Sequence, residues 1–189
     1  MLAQLLGVAV VVLLFVEQVR LTGLHASLLD PSLLSTARST WWYKYSSFSY
    51  SVAGAYILAS LDRLRAHSAF PWRAFGWALV LNGWTSYYAD VVTLGKYTRM
   101  KTVDVLLASS NFVAAGFATA SMRETTPVRV VRVWYVGLLA AIVSKNFASK
   151  ATIRDDVEAF MRYHVLWHVS LPLLGMVGIR ALPRVAHSV

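Results

Sequence analysis

Two histidines spaced four residues apart, His164 and His168, are the residues of this chain whose types and spacing point most directly to chemistry. Both lie within the apolar run from 158 to 181. In an α-helix, residues i and i+4 lie one above the other on the same face, so the two imidazoles point the same way. Two neutral imidazoles on one face can chelate a metal ion, and two packed structural histidines have the same spacing.

Three further polar residues belong with this pair. Ser86 and Asp90 are also spaced i and i+4, near the end of the apolar run 71–93, and Asp104 lies near the start of the run 103–121. If successive runs cross a membrane in alternating directions, all three positions lie in one leaflet with the histidines. Ionisable groups are costly in contact with lipid. We therefore predict that the five residues line one inward-facing cavity.

Such a cavity supports two kinds of chemistry. With Zn²⁺, two histidines and one carboxylate leave a coordination position for water, whose pKa falls toward about 7. The other carboxylate would then accept the proton, and Ser86 would polarise a substrate carbonyl. Without a metal, the same aspartates and histidines would relay protons or hold helices together.

The elements that carry these residues are predicted to be membrane-spanning helices. The chain has 189 residues, of which 57% are apolar, and a span needs about 20 mostly apolar residues. We predict an all-α, multi-pass transmembrane bundle of about six spans, forming one domain over 1–189. The predicted spans are 2–21, 47–62, 71–93, 103–121, 130–148 and 158–181. The first run lacks the basic start and the small-residue cleavage site of a signal peptide and is predicted to be retained.

The charge of the chain is strongly positive, with 18 Lys and Arg against nine acids, which gives a net charge of +9. Basic loop residues beside anionic headgroups account for this in a membrane protein. The predicted partners are therefore membrane lipids and other membrane protein subunits, with no nucleic acid. The chain contains no cysteine, so it has no disulfide framework.

The polar positions resemble the motifs of the alkaline ceramidase group, which belongs to the CREST superfamily of integral membrane hydrolases. In that family, a Ser is followed four residues later by His, an Asp stands near the start of the next helix, and an H-x-x-x-H motif lies near the C-terminus. The matching segments here are Ser86-x-x-x-Asp90, Thr93-Leu94-x-Lys96-Tyr97-x-x-Met100-x-x-x-Asp104 and His164-x-Leu166-Trp167-His168. Together they cover about a third of the chain.

The resemblance implies a zinc site in which His164, His168 and Asp90 are the ligands, with Asp104 as general base and Ser86 as the partner of the substrate carbonyl. Two features depart from the family pattern. Asp90 stands where the family has its first zinc-binding histidine, and the chain has six predicted spans where the family has seven. An aspartate can ligate zinc, so a His₂Asp site is consistent with the motif.

The sequence is consistent with two functions. The first is a non-catalytic structural subunit of a larger membrane assembly, built on a CREST-like scaffold, for which the inner mitochondrial membrane is the expected location. The alternative is a zinc-dependent intramembrane hydrolase of lipid amides, for which the endoplasmic reticulum or Golgi is expected. The substitution of the first histidine by Asp90 favours the subunit, and the convergent polar residues favour the hydrolase.

Overall fold

The protein is all-helical over the part of the chain that the computed structural model describes, residues 39–93 and 99–183, and these residues contain no strand. The predicted span 2–21 lies outside the described residues. Seven α-helices and one π-helical turn follow one another in the described part. They are α1 Trp41–Ser46, α2 Phe48–Ala59, α3 Leu61–Arg65, α4 Trp72–Tyr87, the π-helical turn Tyr88–Val92, α5 Arg99–Ser121, α6 Val128–Ile153 and α7 Val157–Arg180.

Five helices, α2, α4, α5, α6 and α7, lie where the apolar runs predicted them, with some changes of length, whereas the short helices α1 and α3 were not predicted. α2 stops at Ala59, so its 12 residues are fewer than the roughly 20 that a span needs. α6 has 26 residues and extends beyond the predicted range at both ends. Within the described residues, Arg99–Ser121 is the one helix long and apolar enough, by length and composition, to cross a membrane.

Two helix pairs pack most extensively, α2 against α4 and α6 against α7. In the first pair, a Cβ added at Gly54 would lie 2.5 Å from the carbonyl oxygen of Gly76. The two backbones are therefore close enough that only glycine fits at this contact, and small residues allow such close approach between helices. In the second pair, Trp134 of α6 lies over Gly178 of α7, and its indole N–H donates to the carbonyl of Gly175 at 3.1 Å.

The connecting segments at one end of the bundle lie close together around the side chain of His67. Its Nδ1 lies 3.1 Å from the carbonyl oxygen of Thr125, and its Nε2 lies 3.3 Å from that of Pro183. The Thr125 hydroxyl donates back to the carbonyl of His67. Three segments therefore meet at this end: the α3–α4 connection, the α5–α6 connection and the segment after α7. The polar residues lie at the other end, on the C-terminal part of α4 and the N-terminal parts of α5 and α7.

The acidic residues at the start of the last helix form a solvated cap. The Asp156 carboxylate accepts from the Ala159 backbone N–H at 3.0 Å, and the exposed Glu158 pairs with Arg162 one turn later. Asp104 has a different environment. α5 begins at Arg99, so Asp104 lies beyond the first turn, is only 5% exposed and faces inward, which rules out a solvated cap.

Candidate metal centre

A polar cavity of about 50 Å³ lies among α2, α4, α5, α6 and α7, and all five residues singled out in the sequence line it. Ser86, Asp104, His164 and His168 are each at most 6% exposed, and the Asp90 side chain is 7% exposed. Both imidazoles point inward from α7, as the i, i+4 spacing predicts. The structure thus brings together the five candidate site residues.

Asp90 reaches the cavity from the π-helical turn that follows α4. In a π-helical turn each backbone hydrogen bond reaches i+5, and such turns often occur at functional sites. The Ser86 hydroxyl donates to Asp90 Oδ2 at 3.3 Å across this change of helix type. The neighbouring Ala89 and Val91 are buried, so the backbone that presents the carboxylate is held by packing on both sides.

Three potential ligand atoms converge at this carboxylate. His164 Nε2 lies 3.1 Å from Asp90 Oδ2, and His168 Nε2 lies 3.9 Å from the same oxygen. The three atoms all lie within 4.8 Å of one another. In a tetrahedral site with bonds of about 2.0–2.1 Å, ligand atoms are separated by about 3.3 Å, so small side-chain adjustments would complete it.

Ser46, at the end of α1, is the hydrogen-bond partner of His168 Nδ1. The Ser46 hydroxyl lies 2.9 Å from His168 Nδ1 and donates to the Tyr43 carbonyl at 2.9 Å. In the tautomer that carries its proton on Nδ1, His168 donates to Ser46, and the lone pair of Nε2 faces Asp90 and Ser86. A hydrogen bond that orients a histidine in this way is characteristic of metal ligands.

Lys101 joins the two aspartates. Its ammonium group lies 2.6 Å from Asp90 Oδ1 and 3.2 Å from Asp104 Oδ2, and its side chain is 13% exposed. Asp90 therefore presents one oxygen to Lys101 and the other to the histidines. The second oxygen of Asp104, Oδ1, is buried and has no hydrogen-bond partner within the described residues.

Three residues of the site, Lys101, Lys145 and Ser46, were not predicted from the sequence. Lys101 precedes Asp104 by three residues on α5, and this i, i+3 spacing of opposite charges is a signal that could have identified it. Lys145 lines the cavity from α6, with its ammonium group 5.8 Å from the centre of the Trp167 ring. Ser46 is 122 residues from His168 in the sequence, so no local pattern could have connected them.

Aromatic rings close the site on the side of α1 and α2. Tyr43 lies 5.4 Å from the His164 ring and Tyr50 lies 5.4 Å from the His168 ring, measured between centroids. Burial raises the pKa of the Tyr43 phenol well above its ordinary range, and the negative charges of Asp90 and Asp104 add to this effect. The phenol therefore stays neutral and contributes a wall rather than a charge.

The donor set is compatible with a metal ion and with a hydrogen-bonded cluster. His164 Nε2 lies within hydrogen-bond distance of Asp90 Oδ2, and the Ser86 hydroxyl lies 3.4 Å from His168 Nε2. Two imidazoles and one carboxylate are a ligand set of zinc sites that keep an open position. His164, His168 and Asp90 are thus the residues that could hold the ion.

Comparison of the chain with protein-family models, with curated proteins and with solved structures gives no match.

Proposed function

We propose that this protein is a membrane-embedded, zinc-dependent hydrolase that cleaves an acyl bond of a lipid, with the lipid amide of the ceramidase-like motifs as the expected substrate. The observation that carries the proposal is the convergence of His164 Nε2 and His168 Nε2 on Asp90 Oδ2. The orientation of His168 by Ser46 supports it, because the lone pair is directed into the cavity.

Zinc held by His164, His168 and Asp90 would supply the Lewis acidity that activates water at neutral pH. Asp104 accepts the proton from the attacking water, since its buried Oδ1 has no partner within the described residues. The Ser86 hydroxyl, which lies 3.4 Å from His168 Nε2, donates to the carbonyl oxygen as negative charge develops there. Lys101 keeps both carboxylates in place while the proton moves.

An apolar cavity of about 70 Å³ supports a lipid as the substrate. It adjoins the polar cavity and shares Tyr50, Ala108 and Trp167 with it. Its other walls are mostly aliphatic and aromatic side chains of α2, α4, α5, α6 and α7, among them Ile57, Phe75 and Met176, and the polar Asn111 and Thr119 also line it. The cavity has room for the first few methylene groups of an acyl chain, and a chain that entered there would bring its carbonyl end toward Ser86 and the two histidines.

We further propose that the chain crosses the membrane about six times. Large apolar side chains are exposed along α4 and α6, at positions that include Trp77, Leu81, Val136 and Leu139. A water-soluble monomer rarely exposes continuous apolar faces of this kind, and acyl chains would cover them. A hydrolase of this type is expected in the endoplasmic reticulum or Golgi membrane.

The hydrolase is tested by incubating the purified, zinc-loaded chain with a fluorescent N-acyl sphingoid lipid and measuring the fatty acid released. We expect D104N to keep its zinc and to lose activity by a factor of about 10²–10⁴, the usual contribution of a general base. The matched control is S109A, since Ser109 is buried in the same cavity wall and has no role in the reaction. A zinc-loaded wild type that releases no fatty acid from amide or ester lipids would contradict the hydrolase.

The second candidate is a non-catalytic subunit of a larger membrane assembly, and one observation favours it. The formal charges of Asp90, Asp104, Lys101 and Lys145 cancel without a metal, so the cavity would be electrically neutral as an ionic contact between helices. In this case the chain would purify from its source membrane in a stable complex with other subunits and without bound metal. A chain that purifies alone with zinc would exclude this candidate.

A further inference from the structure

The end of the bundle opposite the metal centre is rich in arginine. Seven arginines of the described residues lie at this end, in α3, at the helix ends that meet here or in the α5–α6 connection. They are Arg63, Arg65, Arg73, Arg123, Arg129, Arg132 and Arg180. Among the described residues, only Asp62 and Glu124 oppose them there, and none of these arginines forms an ion pair with a described carboxylate. The described residues at this end therefore carry an excess of positive charge.

Within this end, a groove of about 630 Å³ lies along the α3–α4 connection and the start of α4. Arg65 and Arg73 both line it and both are exposed. Trp77, one turn further along α4, is 56% exposed and forms its apolar side. The groove is about 25 Å from Asp90 along α4, at 1.5 Å per residue, so it is distinct from the metal centre.

Two details of the groove point to an anion as its ligand. Arg73 lies in the first turn of α4, where the helix dipole disfavours a cation, so its position is not explained by helix stability. Trp72 also lines the groove, is 3% exposed, and its indole N–H has no hydrogen-bond partner within the described residues. Two guanidinium groups without a carboxylate partner are complementary to a phosphate.

We propose that this groove binds the headgroup of an anionic phospholipid, with the phosphate between Arg65 and Arg73 and the glycerol against Trp77. Tryptophan and arginine at the membrane surface provide the apolar contact and the charge that such a headgroup requires. The volume lies within the range of about 300–1,000 Å³ of small-molecule sites. The inference rests on the proposed membrane location and is independent of zinc or catalysis.

The test is native mass spectrometry of the full chain, purified in a mild detergent and titrated with phosphatidylglycerol or with phosphatidylcholine of the same acyl chains. We expect phosphatidylglycerol to bind more tightly, and R65Q/R73Q to weaken its binding roughly 10- to 30-fold. The control R129Q/R132Q removes the same charge from the same end, outside the groove, and should change binding by less than about twofold.

Three results would overturn the proposal. Equal weakening by R65Q/R73Q and R129Q/R132Q would mean that only the diffuse charge of this end attracts the lipid. Equal binding of phosphatidylcholine would mean that the groove does not select an anion. Soluble glycerol phosphate that binds as tightly as phosphatidylglycerol would mean that the occupant is not a lipid. None of these results depends on the metal content of the protein, so the proposed hydrolase is tested separately.

Discussion

At the scale of single residues, a substitution of Ser46 best separates a metal site from a cluster of packed side chains, because the two differ in the effect expected on zinc affinity. Its hydroxyl has one acceptor, the Tyr43 carbonyl, and one donor, His168 Nδ1. We expect S46A to lower zinc affinity about 10- to 100-fold, the usual effect of removing a hydrogen bond that orients a ligand, with little change in melting temperature. Competition with a chromogenic chelator measures the affinity.

The control for this prediction is S49A. Ser49 is three residues further along the chain and donates to the backbone carbonyl of His168 at 2.5 Å, not to the imidazole. The S49A variant removes a hydroxyl group of the same kind and leaves the hydrogen bond between Ser46 and the His168 imidazole in place. It should therefore keep the zinc affinity within about threefold of wild type. If S46A and S49A weaken zinc equally, Ser46 does not act through the tautomer of His168.

Lys101 supports a second prediction, because it is the charge partner of both aspartates. K101M leaves two buried carboxylates without a cation, and breaking a buried ion pair costs about 3–5 kcal/mol. We expect the melting temperature of K101M without metal to fall by roughly 10 °C. Added zinc should raise the melting temperature of K101M by more than it raises that of wild type. Differential scanning fluorimetry with and without zinc measures both effects.

R162Q is the reference for K101M, since it breaks an exposed pair with Glu158 in which both side chains are 68% exposed. Exposed pairs contribute about 0–1 kcal/mol, so its melting temperature should stay close to that of wild type. A K101M protein as stable as R162Q would show that the two aspartates do not need Lys101.

At the scale of helices, the contact of α6 with α7 depends on one glycine. A Cβ at Gly178 would lie 1.9 Å from Trp134 Nε1, whereas a Cβ at Gly175 would meet nothing within 4 Å. G178A must displace the indole and break its bond to the Gly175 carbonyl, and we expect it to destabilise the protein by about 1–3 kcal/mol. Thermal unfolding of the two variants in the same detergent compares them.

G175A is the matched change for G178A, on the same helix and three residues away. Alanine is favoured over glycine in a helix by up to about 1 kcal/mol, so G175A should be neutral or slightly stabilising. The packing described for this helix pair would be contradicted by a G178A protein that melts at or above the temperature of G175A.

The helices and the site were predictable from the sequence to different extents. Apolar runs located α4, α5, α6 and α7 within a few residues, because each helix must bury one face or cover itself with lipid. The i, i+4 pairs predicted that Ser86, Asp90, His164 and His168 would meet. The π-helical turn at Asp90 was not predictable, since its extra residue per turn arises from tertiary packing and leaves no spacing signal.

Lys101 shows why the charges of the site were harder to predict than its ligands. On the sequence it stands beside Lys96 and Arg99 in a basic loop, where a lysine ordinarily faces solvent or headgroups. The structure begins α5 at Arg99, which places Lys101 on the inward face one turn before Asp104. Sequence patterns locate helix ends less well than helix centres. For this reason the sequence did not show that Lys101 lies on the helix and faces the site rather than the surface.

At the scale of the whole molecule, the direction of the helices predicts which loops share a side of the membrane. His67 is bonded to Thr125, so the α3–α4 and α5–α6 connections lie together, and the α6–α7 connection lies at the far end of α6. The chain has no cysteine, so single cysteines can be introduced cleanly. In sealed vesicles, an impermeant maleimide should label A66C and E124C from one side and R154C from the other.

Labelling of all three positions from one side would mean that α6 does not cross the membrane. It would also remove the reason for placing Asp90, Asp104 and the histidines in one leaflet. The positions are suited to the experiment because Ala66, Glu124 and Arg154 are all exposed, so a missing label reports sidedness and not burial.

The central claim, that the polar cavity is a metal centre, is tested most directly by elemental analysis of the full chain purified without chelators. We predict about one zinc per chain, reduced to background in H164A/H168A. It should be unchanged in H67A, which removes a buried histidine at the opposite end of the bundle. A wild type without bound metal, or a zinc content that H164A/H168A leaves unchanged, would contradict the claim.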